Sequence, residues 1–306
     1  MAALLLPPLR IAAGEARREK STMQGNNRME WEYAALFDVE ERTPLENWWI
    51  QQPTRVPAGK MGYRTRTIKS GPILEVEVYP IFGRNQERAA RKAKTEITKE
   101  AMERHNLAAA KRRIVRLANC NFGREDIHCT LTYSQAPSFE QAQKDIRNFL
   151  RRLKRIREKR GLPELKYIYA IEDNEDGQKK RIHAHCLLSG GVEREEIEAL
   201  WANGYANCDR LKPDENGLEA LARYIVKSTK NRRKWCCSKN LKKPKVRTSD
   251  TKLSNRRVQL LSVGIENQAK EILRKAWPGY EYVELKASYS DRVDGVYLRG
   301  KMRKIE

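Results

Sequence analysis

The chain has 306 residues, with 62 Lys and Arg against 40 Asp and Glu, a formal net charge of +22. That length supports one large domain or two modest ones around a sizeable core. A surplus of cations this large attracts polyanions, nucleic acid first and an acidic membrane surface second. The six cysteines show no C-x-x-C spacing, and the vicinal Cys236-Cys237 has no second pair or nearby His to complete a zinc set. Three of the six lie in apolar runs, where a thiol behaves as a small buried hydrophobe, and a reducing cytoplasm is the simplest setting. No stretch approaches the ~20 apolar residues that span a bilayer, and "MAALLLPPLR" has no basic residue ahead of its apolar patch, so neither secretion nor a membrane partner is expected.

Residues 1–60 carry no clear periodicity over their first half and are read as a disordered or poorly defined segment. A second region, 61–120, begins with "YRTRTIKSGPILEVEVYPIF", which alternates as two strands around Ser70-Gly71-Pro72. Residues 85–118, rich in Ala, Lys, Arg and Glu with no Gly or Pro, predict one long basic helix or two, with charged faces taken as solvated.

The region 121–247 is clearer. "IHCTLTY" (127–133) alternates, with Ile127, Cys129, Leu131 and Tyr133 on one face and His128, Thr130 and Thr132 on the other. Ser138 followed by Gln141 starts a capping box, Ile146, Phe149, Leu150, Leu153 and Ile156 form a helical stripe, and Gly161 ends it. "KYIYAIE" and "RIHAHCLL" are strands joined by the polar turn "DNEDGQKK". A helix at 193–202, a weaker strand near 205–211 and a helix at about 214–229 follow, and 248–306 is expected to pack on this core. The order predicts an α+β fold, a central antiparallel sheet flanked by helices.

His183 and His185, two apart, share one face of their strand, while Ile182, Ala184 and Cys186 share the core side. A hairpin turn centred on Asp176-Gly177 sets Glu172 almost opposite His183 and diagonal to His185. Two imidazoles and a carboxylate with open positions suit a catalytic divalent ion, and mixed N and O donors accommodate Mg²⁺, Mn²⁺ or Zn²⁺. In "LEALARYIVKSTK", Leu218, Leu221, Ala222 and Ile225 make the buried stripe, and Tyr224 and Lys227 lie about one turn apart on its flank. A flanking tyrosine is ordinarily packing, but beside a metal site it is a candidate covalent nucleophile, with the lysine placed to neutralise phosphate charge.

The order of "IHCTLTY", "HAH" and Y-x-x-K resembles the HUH endonucleases, initiators of rolling-circle replication, and above all plasmid and phage replication proteins related to the filamentous-phage gene II protein. The resemblance extends over about residues 63–300, including "SKNLKKPK" and "DGVYLRGKMRK". It implies a ferredoxin- or RRM-like core that nicks and rejoins single-stranded DNA at a replication origin. His183, His185 and Glu172 would bind Mg²⁺ or Mn²⁺, Tyr224 would take the DNA 5′ phosphate, and Lys227 would assist. It also implies a plasmid- or phage-encoded protein in a bacterial cytoplasm. Some relatives carry two tyrosines in this helix; here Tyr224 stands alone.

Residues 227–247 hold ten Lys or Arg and no acid, so Lys230, Arg232, Arg233 and Lys234 are candidate phosphate contacts and Trp235 a candidate base-stacking ring. No G-x-x-x-x-G-K-[ST] occurs, which points to a host helicase and DNA polymerase as partners. Three rival readings use the same residues. "IHCTL" is half of a paired H-x-[ST] phosphoesterase signature, but His185 stands where the second Ser or Thr belongs. A relaxase or transposase would share the core motifs, and a replication regulator would bind DNA without cutting it.

Overall fold

The computed structural model describes residues 61–82, 99–172, 182–226, 235–289 and 295–305. The first 60 residues, the part of the expected 85–118 helical region before residue 99, the turn at 173–180 and the basic residues 227–234 lie outside these. No helix among the described residues is long and apolar enough to cross a membrane.

In chain order the elements are β1 (Met61–Ser70), β2 (Ile73–Phe82), α1 (Lys99–Asn121), β3 (Ile127–Tyr133), α2 (Phe139–Lys159), β4 (Tyr167–Glu172), β5 (His183–Leu188) and α3 (Arg194–Ala199). Then follow β6 (Gly204–Arg210), α4 (Glu219–Ile225), β7 (Cys236–Cys237), β8 (Lys245–Ser249), α5 (Asn255–Ser262), α6 (Glu266–Ala276), β9 (Tyr280–Tyr289) and β10 (Val296–Lys304). The fold is α+β, as expected, but it has two five-stranded sheets: β6-β3-β5-β4-β7 and β8-β1-β2-β10-β9. All strand pairs are antiparallel.

The first sheet follows the alternation in the sequence. Ile127, Cys129, Leu131 and Tyr133 of β3 are buried against Ala142, Ile146, Phe149 and Leu153 of α2 and Ile197 after it. Ser138 caps α2 by accepting from the Gln141 N–H at 3.2 Å, and Gly161, at φ 64°, turns the chain away at the other end. Cys129 sits opposite both Cys186 and Cys208 in the ladders, and all three are buried as small apolar side chains.

The opposite face of this sheet is also covered, which the period-two pattern does not show. Ile168, Ala170 and Leu187 pack with Ile114, Val115 and Leu117 of α1 and with Leu218, Ala222 and Ile225 at α4. The molecule is therefore layered: α2 and α3, first sheet, α1 and α4, second sheet, α5 and α6. The outer face of the second sheet is apolar, with Leu74, Val76, Val78, Leu298 and Met302 against Val258, Leu261 and Leu273.

Its inner face carries charge. Glu75 and Glu77 are 5% and 4% exposed. Arg116 of α1 donates to both Glu75 oxygens, at 2.9 and 2.7 Å, and to Glu77 at 3.0 Å. The expectation that the charged faces of this helix are solvated is corrected at Arg116: the apolar face of α1 is covered by one sheet, and Arg116, half-buried, is paired with Glu75 and Glu77 of the other.

Candidate active site

The β4–β5 ladder pairs Glu172 with His183 and Ala170 with His185, the register expected of the hairpin. Glu172 Oε2 is 3.1 Å from His183 Nε2 and 3.9 Å from His185 Nε2. One ligand atom from each residue lies within 4.8 Å of the others, and this is the one such group among the described residues. Donors about 2.1 Å from a common ion at right angles stand roughly 3 Å apart, so the Glu172–His183 pair is at that spacing and His185 stands wider. These residues could hold a metal ion.

His185 is only 4% exposed, with the Tyr224 ring of α4 against it. On its other nitrogen, Nδ1 lies 3.3 Å from Thr130 Oγ1 on β3. A ring that gives its Nδ1–H to that hydroxyl keeps the Nε2 lone pair turned toward Glu172. The His128 ring stacks on His185 with centroids 5.5 Å apart, and burial pushes the His128 pKa down, which favours its neutral form.

Tyr224 arrives from α4. Its ring centroid is 5.1 Å from that of His185, at an interplanar angle of 67°. Two turns of helix do not hold themselves in water; α4 is held at its start from both sides. The Leu218 N–H donates to Asn119 Oδ1 of α1 at 2.8 Å. From the second sheet, Lys301 Nζ donates to Glu219 Oε2 at 2.6 Å and to Asn216 Oδ1 at 2.8 Å, and also pairs with Glu284 at 2.8 Å. Gly217, at φ 72°, is required here, since a Cβ would lie 2.5 Å from Asn119 Oδ1.

Of the residues singled out in the sequence, His183, His185, Glu172 and Tyr224 come together. Lys227, Lys230, Arg232, Arg233 and Lys234 lie outside the described residues. Trp235 is placed differently from the expectation: its indole N–H donates to the Ala110 carbonyl at 3.3 Å, Arg113 lies over its ring, and it packs on the α1 cluster. Farther along the same segment, Lys239, Lys242, Lys243, Lys245 and Arg247 are exposed or partly so. Sequence reasoning missed Thr130 and Lys301 as supports. Alternation puts Thr130 on the same face of its strand as His128, but it does not supply the β3–β5 register that sets it opposite His185.

The sheet thus sets a group that could hold a metal ion beside a helix-borne tyrosine hydroxyl. Residues 126–229, from the start of β3 past the end of α4, match the model of a family of replication-associated proteins, the type of ORF2 and the gene II protein. The matched segment holds the whole His183–His185–Glu172 group and Tyr224. No curated protein and no solved structure matches the chain.

Proposed function

We propose that the chain initiates rolling-circle DNA replication by nicking and rejoining one DNA strand through a covalent 5′-phosphotyrosine. The observation that carries this is the contact of Tyr224 with His185, beside the metal-binding group and inside the segment that matches replication-associated proteins. In this reading Tyr224 Oη attacks the scissile phosphorus. The P–O bond to the 3′ oxygen breaks as the tyrosyl ester forms, the phenol gives up its proton, and the departing 3′ oxygen gains one. One phosphodiester replaces another, so the step reverses onto a free 3′-OH without ATP. A divalent ion, Mg²⁺ or Mn²⁺, bound by His183, His185 and Glu172 would supply electrophilic stabilisation of the phosphate. Lys227 would neutralise phosphate charge, and Lys230, Arg232, Arg233 and Lys234 would hold the strand with the lysines that follow. A host helicase and polymerase would unwind and extend the DNA in a bacterial cytoplasm.

The test is incubation with a single-stranded origin library and Mn²⁺. The expected product is an adduct that survives denaturing electrophoresis, bears the DNA 5′ end and maps to the Tyr224 peptide. Tyr224→Phe should abolish it; equal yield from that variant moves the nucleophile elsewhere, and free 5′ phosphates with no adduct make water the attacker. Sequencing the attached DNA separates a replication origin from a transfer origin or a transposon end.

A further inference from the structure

We propose that Tyr205 is a stacking platform for one base of the DNA strand handled at the His183–His185–Glu172 group; this rests on the nicking reading above. Tyr205 pairs with Thr132, Thr132 with His183, and His183 with Glu172, so the four residues form one row across β6, β3, β5 and β4. Residues directly opposite in neighbouring antiparallel strands point to the same face. With strands about 4.8 Å apart, Tyr205 lies about 10 Å from His183 along that row, within reach of a nucleotide next to the one being cut.

Its exposure is the second observation. Tyr205 is 71% exposed, the highest of the large apolar side chains among the described residues, whereas Tyr63 and Tyr133 are 1% and 3% exposed. A bare aromatic ring beside a reaction centre, on a protein of net charge +22, is what an unpaired polyanionic strand with stackable bases would use. The ring also stands on a fixed base. At its neighbour Gly204 a Cβ would meet the Thr132 carbonyl oxygen at 2.3 Å and the Ser134 nitrogen at 2.6 Å, so only glycine fits against β3 there. Trp201 reinforces the spot by donating its indole N–H to the same Thr132 carbonyl at 3.0 Å. Because β6 is the edge of its sheet, a strand can approach past it. Asn207, next on this face, is exposed and can meet a base edge, whereas Asp209 beyond it repels phosphate and so directs the strand to the Tyr205 end.

Tyr205→Ala and Tyr205→Phe in the full chain test this by equilibrium binding of a random-sequence single-stranded DNA library without divalent metal, and by adduct formation with Mn²⁺ at saturating DNA. The alanine variant should bind about 10-fold or more weakly, the phenylalanine variant within about 2-fold of the parent, and both should form adduct at near-parental rates once saturated. A strand substituted with 5-iodouracil should photocrosslink to the peptide holding Tyr205 in the parent. Undiminished binding by Tyr205→Ala with an unchanged crosslink pattern overturns the platform, as does a phenylalanine variant that binds normally but forms no adduct, which would make the hydroxyl the working group. Absence of adduct from the parent chain is a different failure, one that strikes the nicking reading itself.

Discussion

Thr130 shows how a small side chain sets what a larger one does. Its hydroxyl fixes one nitrogen of His185, and the ring is otherwise wedged between His128, His183 and Tyr224. Thr130→Val keeps the shape and removes the partner, so Mn²⁺ affinity should fall by roughly 10-fold while the melting temperature barely moves; titration calorimetry of the purified variant checks both the fall and the unchanged stoichiometry. A loss no greater than 2-fold would leave the stacked rings alone to orient His185. The Glu172, His183 and His185 trio was legible in the sequence because its members sit on two consecutive strands, β4 and β5, whose period-two patterns put them on one face. Thr130 was not, because the β3–β5 register spans a helix and a strand, and no local pattern encodes it.

At the scale of elements, α4 is the part whose placement matters most and whose own sequence determines it least. Its buried stripe of Leu218, Ala222 and Ile225 was readable from helical spacing, but spacing says only which side is in, not where along the sheet the helix lies. Asn119 and Lys301 supply that, from elements on either side. Lys301→Met leaves Glu219 and Glu284 without their shared cation and should cost about 2 kcal/mol of stability. The sharper readout is kinetic: adduct formation at saturating DNA should slow several-fold with DNA affinity unchanged, because Tyr224 is displaced and the binding surface is not, and Lys301→Arg should recover part of the rate. Equal losses in rate and affinity would mean a general loosening of the fold.

Across the whole molecule, the two sheets face each other through a layer that is apolar toward one and ionic toward the other. Burial alone would push the Glu75 pKa up, but Arg116, with Arg299 and Lys301, outweighs it and holds the carboxyl below its ordinary 4.5; Glu284 is lowered in the same way, chiefly through Lys301. Folding then favours the ionised forms. Their contribution is complete above the ordinary carboxylate range and is lost as pH falls through the depressed folded values. Urea denaturation should therefore show stability declining steeply below about pH 4.5. In Arg116→Met the buried carboxylates lose their main partner, which should cost about 3–5 kcal/mol at neutral pH and flatten or reverse that acid decline. An unchanged acid profile would place the titrating groups elsewhere. None of this could be read from the sequence, where Glu75 and Arg116 look like ordinary surface charges of a strand and a helix 41 positions apart.

The second sheet joins strands from opposite ends of the described chain: β2 lies beside β10, with Val78 opposite Leu298. A ribosome releases β4, β5 and α4 well before it makes Lys301. Until β10 threads in beside β2, α4 has only one of its two anchors, and the partly made protein carries Glu172, His183, His185 and Tyr224 without a finished geometry. On the nicking reading proposed above, competence to cut would arrive late in synthesis, with the strand that closes the sheet, so that a nascent chain would not act on DNA before Tyr224 is held in place.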